Sequence, residues 1–295
     1  MSWIAKNTLS WLQSLVVKIL KTGRVPHHVA IIMDGNRRYA NKTGVEKIEG
    51  HSKGFEKLAE TLQWCLEFGI PEVTVYAFSI ENFKRSKEEV DCLMDLARQK
   101  FQRLLDERDK LMEHGLRVRV IGNLSLVPQD VRKLMAKAVK ITENNNKTFL
   151  NVAFSYTSRD EMTNTVREIV KSAKNGNVNV DDIDENLVSK CLYTHNSEDP
   201  DLLIRTSGEV RLSDFLMWQT SHTCIYFTKV LWPEFSAWDF ISAIFYYQRC
   251  YSDIARVKKD CQHKVSVLDD RTNRFVEKLH KQRDNVIENS SGTIQ

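Results

Sequence analysis

The chain has 295 residues, 42% of them hydrophobic and 28% charged, and a formal net charge of only +4. That length buries a sizeable core as one large domain or two small ones. With no long basic tail, the charge balance argues against a nucleic-acid binder. No Pro/Gly/Ser-rich linker, repeat or low-complexity tract divides the sequence. The expected organisation is one main domain over 24–255, an amphipathic helix over 1–23, and a charged helix and tail over 256–295. The six cysteines, Cys65, Cys92, Cys191, Cys224, Cys250 and Cys261, form no CxxC pair, which argues against zinc and for reduced thiols in a reducing compartment. No apolar run approaches the ~20 residues that span a bilayer, and no signal peptide is expected at the start.

Leu12, Leu15, Val16, Ile19 and Leu20 recur at helical spacing near Trp3 and Trp11, with Lys6, Lys18 and Lys21 between them. Such a helix either packs on the protein's own core or lies against a membrane surface. Strands are then expected over 28–34, 72–79, 116–122, 149–156, 201–206 and 224–228. Helices are expected over 50–68, 87–114, 128–144, 158–173, 184–192 and 238–254, and the last ~40 residues read as an exposed helix fraying into a polar tail. Strands alternating with helices predict an α/β fold with a largely parallel six-stranded sheet.

Three strand ends carry the chemistry. The first strand runs into Asp34-Gly35-Asn36-Arg37-Arg38, where Gly35 permits a sharp turn and a helix begins. A helix start attracts phosphate, two guanidiniums add forked donors, and a carboxylate suits Mg2+. The second strand end delivers Ser79, Asn82, Phe83 and Arg85. The third delivers Arg205, then Thr206-Ser207-Gly208, with Arg211 and Ser213 ahead of an apolar stretch read as a helix that Ser213 caps. Five arginines at the carboxyl ends of parallel strands imply more than one phosphate group. The plainer alternative is a set of strand–turn–helix junctions with solvated arginines. His51 either contacts phosphate or orients its helix, and Lys42 reads as a solvated charge.

The stretches MDGNRRYA, GHSKG (50–54), SIENFKR and IRTSGEVRLSDFLMWQ stand in the order of, and resemble, the motifs of the cis-prenyltransferases, the undecaprenyl and dehydrodolichyl diphosphate synthases. The resemblance spans roughly 24–250 and is nearest to the eukaryotic catalytic subunits. It implies Mg2+-dependent condensation of farnesyl diphosphate with successive isopentenyl diphosphates to a long polyprenyl diphosphate, the dolichol precursor. It implies that Asp34, Gly35, Arg37, Arg38 and Arg85 hold the allylic diphosphate. Arg205, Arg211 and Ser213 would hold the isopentenyl diphosphate, and Asp34 the metal. Asn36 and Ser79 are candidates for assisting departure or proton removal, and Asn82 and Phe83 for ordering a closing loop. The helices around 55–68 and 91–111 are candidate walls of a product channel.

Bacterial homodimers of the family tend to carry His at Val210 and Glu at Cys224, both helping the metal. Here Mg2+ would rely on Asp34, diphosphate oxygens and water. The family's C-terminal Arg-X-Gly is not seen at the end of this sequence. The resemblance therefore implies a heteromer in which a Nogo-B receptor-type subunit supplies that motif, peripheral to the endoplasmic reticulum membrane on its cytosolic face. A self-sufficient homodimer, a non-catalytic partner subunit and a bare phosphate-binding module are the competing readings.

Overall fold

The computed structural model describes residues 9–260 and 268–291, with side chains over 9–259 and 268–285. Trp3, Lys6, Cys261 and the final four residues, where the Arg-X-Gly comparison falls, lie outside the described residues.

Six strands form one sheet: β1 (His28–Ile32), β2 (Glu72–Ser79), β3 (Leu116–Ile121), β4 (Thr148–Tyr156), β5 (Leu202–Arg205) and β6 (Cys224–Phe227). All pair in parallel in the order β3-β4-β2-β1-β5-β6. The α/β expectation therefore holds, with each predicted strand found within two residues of its bounds. Every residue of β1 is buried. Val29 and Ile31 join one core, and Ala30 and Ile32 the other, because helices cover both faces. The chain leaves β1 on the β2 side and returns on the β5 side, so the switch point lies between β1 and β5. A ligand crevice is expected outside their carboxyl ends.

The helices are α1 (Trp11–Leu20), α2 (Asn36–Thr43), α3 (Lys47–Phe68), α4 (Lys87–Asp106), α5 (Arg108–Glu113), α6 (Gln129–Thr142), α7 (Ser158–Lys174), α8 (Glu185–Cys191), α9 (Ala237–Asp260) and α10 (Asp270–Ser291). Helix α1 starts with a capping box in which Ser10 and Gln13 bond each other's backbone. It packs on the core through Val17, and Gln248 donates to the Leu20 carbonyl at 2.8 Å. Trp11, Leu12, Leu15 and Ile19 stay exposed on its other side.

Three expectations need correction. The helix expected over 87–114 is two helices, broken where Glu107 leaves helical geometry (φ −95°, ψ 21°). No helix follows Ser213; residues 206–223 form an irregular turn. The last helix is not simply exposed. Val276 and Leu279 of α10 are buried with Ile169, Leu187 and Cys191. Arg283 donates to the Cys191 and Leu192 carbonyls at 2.8 and 2.9 Å, satisfying the open end of α8. His195 stacks on His280 with ring centroids 3.6 Å apart.

Gly122 follows β3 at φ +138°, and a Cβ there would sit 2.1 Å from the Phe154 carbonyl oxygen. Gly122→Ala is expected to destabilise the fold by about 3 kcal/mol, combining backbone strain with a main-chain clash, read by denaturant unfolding. Burial and the neighbouring His280 push the pKa of His195 down to about 4. An unfolded histidine titrates near 6.5, so as pH falls below 6.5 the unfolded chain takes a proton that the native one refuses. The stability held above pH 6.5 should therefore decline progressively toward pH 4. His195→Asn should flatten that decline in melting temperatures measured across this window.

Candidate active site

The carboxyl ends of β1, β2 and β5 open onto one cavity of about 650 Å³. Asp34, Asn36, Arg37, His51, Ser79, Asn82, Arg85, Arg205, Arg211 and Ser213 all line it. Gly35 and Arg38 lie in the same turn as Asp34. The sequence thus scattered over 180 residues is brought to one place by the parallel sheet.

Asp34 leaves β1 and is held from several sides. Its N–H donates to Thr206 Oγ1 at 3.0 Å, and Thr206 Oγ1 donates back to the Asp34 carbonyl at 2.7 Å. The Trp232 N–H donates to the same carbonyl at 3.0 Å. Gly35 follows at φ +111°, with Leu231 close to where a side chain would stand. That left-handed residue, the N-cap position of α2, makes the turn that glycine adopts without steric cost. Arg37 and Arg38 then occupy the first turn of α2.

Arg205, at the end of β5, is 2% exposed, and its Nη2 donates to Asp34 Oδ2 at 2.9 Å. Its Nη1 donates to Ser213 Oγ at 2.7 Å and to the Arg211 carbonyl. Burial pulls the Asp34 carboxyl upward, but the Arg205 hydrogen bond and charge, with Ser207 and Arg38, outweigh it and hold the pKa below the ordinary value. The carboxylate is ionised and available as a hard oxygen ligand. Asp34 is the family's metal candidate here. Among the described residues no group of three His, Cys, Asp or Glu side chains gathers to hold a metal. This donor set fits Mg2+, which uses few protein carboxylates and keeps waters and phosphate oxygens, and does not fit a structural zinc.

A second cationic group faces this one. Arg85 donates to Glu89 Oε1 at 2.9 Å, and Arg37 and Lys47 approach the Glu89 carboxylate at 3.8 and 3.7 Å. Burial and Arg37 lower the Arg85 pKa. His51 is pushed down to about 4 by burial and by Arg85 and Arg37, so the ring is neutral at pH 7, and its Nε2 is buried without a partner. Glu209 pairs with Arg38 at 3.5 Å and with Arg211.

Ser79 and Asn82 form a reciprocal cap. The Ser79 N–H donates to Asn82 Oδ1 at 3.0 Å, and the Glu81 N–H donates to Ser79 Oγ at 3.2 Å. Phe83 meets Phe78 edge-on at 4.9 Å. These bonds hold the short turn over 80–84 that delivers Arg85. Lys42 pairs with Glu234 at 2.6 Å and is not merely solvated.

Sequence reasoning missed Glu89 and Glu209, the anions that already occupy the arginines. It also missed why GHSKG needs its glycines. A Cβ on Gly50 would lie 2.5 Å from the Asn36 carbonyl oxygen, and one on Gly54 2.3 Å from Asn36 Oδ1. Trp232 Nε1 donates to the Gly54 carbonyl at 2.7 Å. The glycines let α3 press against the Asn36 turn, and the G-x-x-x-G spacing was the available signal. Cys224 is the other correction. It pairs with Leu202 at the amino end of β6, whereas Arg205 pairs with Phe227 at the carboxyl end. A residue there lies across the sheet from this chain's Asp34, so its identity says nothing about this chain's own metal site.

Away from the charges the cavity is apolar, walled by Leu58 of α3, by Leu93, Leu96, Ala97 and Phe101 of α4, and by Val152 and Phe154 of β4. One cavity therefore offers cations for two anionic groups and an apolar recess for a hydrocarbon.

The sequence model of a family described as putative undecaprenyl diphosphate synthase matches residues 32–254. A dehydrodolichyl diphosphate synthase complex subunit of Homo sapiens is 58% identical over 258 residues, 88% of this chain and 78% of that protein. A tritrans,polycis-undecaprenyl-diphosphate synthase (geranylgeranyl-diphosphate specific) of Pyrococcus furiosus is 46% identical over 230 residues, 78% of this chain and 87% of the relative. The crystal structure of lavandulyl diphosphate synthase from Lavandula x intermedia, in complex with dimethylallyl diphosphate, superposes with a TM-score of 0.72 at 33% identity. It covers 76% of this chain and 95% of that one. By sequence model, relatives and fold together, the chain belongs to the cis-prenyltransferase family.

Proposed function

We propose that this chain is the catalytic subunit of a dehydrodolichyl diphosphate synthase, condensing farnesyl diphosphate with successive isopentenyl diphosphates. The observation that carries the reading is the single cavity with two cationic groups on either side of Asp34 and an apolar recess beyond. Relatives named as subunits of that synthase complex support the same reaction.

Two diphosphates repel each other strongly unless compensated. On this reading Gly35, Arg37, Arg38 and Arg85 bind the allylic diphosphate, and the backbone N–H groups opening α2 add donors. Arg205, Arg211 and Ser213 bind the isopentenyl diphosphate. Fixed guanidiniums stabilise charge gathering on the departing diphosphate without reorganising. Asn36 and Ser79 stand at the cavity as candidates for assisting departure or accepting the proton, Asn82 secures the turn over 80–84, and neutral His51 lines the cavity from α3. Mg2+ held by Asp34 would add charge stabilisation at the leaving group. The growing chain would occupy the recess between α3 and α4, which excludes water from the allylic carbon.

The partner we assign is a Nogo-B receptor-type subunit supplying an Arg-X-Gly segment, and the location is the cytosolic face of the endoplasmic reticulum membrane. Among the described residues no helix is long and apolar enough to cross a membrane. The exposed Trp11, Leu12, Leu15 and Ile19 offer α1 a face for surface contact.

The test is incorporation of labelled isopentenyl diphosphate with farnesyl diphosphate and Mg2+, by this chain alone and with the partner subunit, resolving products by length. Long products made only with the partner are expected; equal synthesis without it would remove the partner assignment. Asp34→Ala should lower turnover at least ~100-fold, and undiminished turnover would remove Asp34 from the reaction. Gly54→Ala, which drives a methyl into Asn36, should lower kcat about tenfold or more in the same assay, reflecting a displaced turn.

A further inference from the structure

We propose that Asp214 is a positioning residue. It clamps the turn carrying Arg211 and Ser213 onto the amino end of α7 and so sets the subsite for isopentenyl diphosphate. The proposal rests on the assignment of that subsite above.

The turn is strained. Ser213, Asp214 and Leu216 have φ of +50°, +61° and +47°, the left-handed region that L residues avoid. Three such residues within four positions persist only where the surroundings over-determine them. Those surroundings are the first residues of α7. The Ser158 N–H donates to the Asp214 carbonyl at 2.8 Å. The Arg159 N–H donates to Asp214 Oδ1 at 3.1 Å, and Arg159 Nε donates to Oδ2 at 2.9 Å. The Met217 N–H donates to Ser158 Oγ at 2.6 Å.

The arrangement answers a need on both sides. The opening N–H groups of a helix lack intrahelical partners, and a carboxylate there is favoured by the helix dipole. Thr157 caps one of them, through the Asp160 N–H at 3.3 Å; Asp214 takes two more. In return the turn is fixed. Phe215 is fully buried and stacks on Tyr76 at 4.4 Å. Further along, Gln219 Nε2 donates to the buried Glu161 at 3.0 Å, tying the end of the same turn to α7.

The consequence reaches the cavity through Ser213 and Arg211, which line it beside Asp214 itself. Ser213 Oγ accepts from Arg205 at 2.7 Å and lines the cavity beside it. Its direction follows from the left-handed backbone at 213 and 214, which the Asp214 carboxylate holds together with the Asp214 carbonyl and the Met217 N–H. A looser Asp214 would swing Ser213 and Arg211 while leaving Arg37, Arg38 and Arg85, on α2 and ahead of α4, in place. A general loss of folding would not produce such one-sided damage.

The experiment uses the full chain with its partner subunit and Mg2+, and compares wild type, Asp214→Ala and Asp214→Asn. Asp214→Ala should raise KM for isopentenyl diphosphate at least tenfold and leave KM for farnesyl diphosphate within twofold. Asp214→Asn retains an oxygen for the Arg159 N–H and should recover most of the loss. An unchanged KM for isopentenyl diphosphate, or an equal rise for both substrates, would overturn the clamp. Arg159→Ala, which keeps the main-chain bond to Oδ1 but removes the Oδ2 bond and a guanidinium from the cavity wall, should also raise the same KM. Amide hydrogen exchange of the substrate-free chain gives a reading independent of turnover. Exchange over 211–217 should quicken in Asp214→Ala and not over 35–38; unchanged exchange would overturn the proposal. If instead the wild type made no polyprenyl product while the exchange result held, the reaction assignment would fail and the clamp would stand.

Discussion

The ion pair between Arg205 and Asp34 is the constraint from which the rest of the site follows. A guanidinium 2% exposed is tolerated only if its charge and donors are answered. Asp34 answers one arm and Ser213 Oγ and the Arg211 carbonyl the other, leaving only the buried Nε without a protein partner among the described residues. The pair joins the end of β1 to the end of β5, the two strands flanking the point where the chain reverses direction across the sheet. Thr206 doubles the link by both accepting from and donating to the Asp34 backbone. Strand ends that would otherwise splay are thereby fixed with one carboxylate between two arginine groups.

That junction also explains the division of the cavity. Charges belong to turns at the sheet's carboxyl edge, where loops diverge and water can reach them. The recess belongs to the packed layer below, between α3, α4 and the sheet, where side chains must be apolar because they are core residues on their other sides. A diphosphate with a hydrocarbon tail has the same division. The fold therefore reads the substrate's two halves with two kinds of structure and needs no separate binding domain.

Much of this was legible in the sequence because the strongest signals are local. The apolar runs at 72–79 and 149–156 have no competing reading as long helices, and Asp34-Gly35-Asn36-Arg37-Arg38 announces a turn by composition alone. What stayed hidden depended on distant partners. The run Phe215-Leu216-Met217-Trp218 has the apolar content of a helix, yet it follows left-handed Ser213 and Asp214, contains left-handed Leu216, and is tied through Asp214 and Met217 to Ser158 and Arg159, over fifty residues earlier. Helix α10 looks solvated because only a few of its residues are apolar; that two of them meet α8 is a tertiary fact.

Glu89 and Glu209 give the site a property that its arginines alone would lack. Each carboxylate already engages the guanidiniums that a diphosphate would need. On the proposed assignment, arrival of substrate would exchange one anion for another, and the free protein is spared the repulsion of a bare cationic cleft. On that assignment the same exchange would run backward after each condensation. A cleft of unopposed cations would retain inorganic pyrophosphate and stall; one with internal carboxylates waiting beside the arginines can return it to solvent and be ready for the next unit.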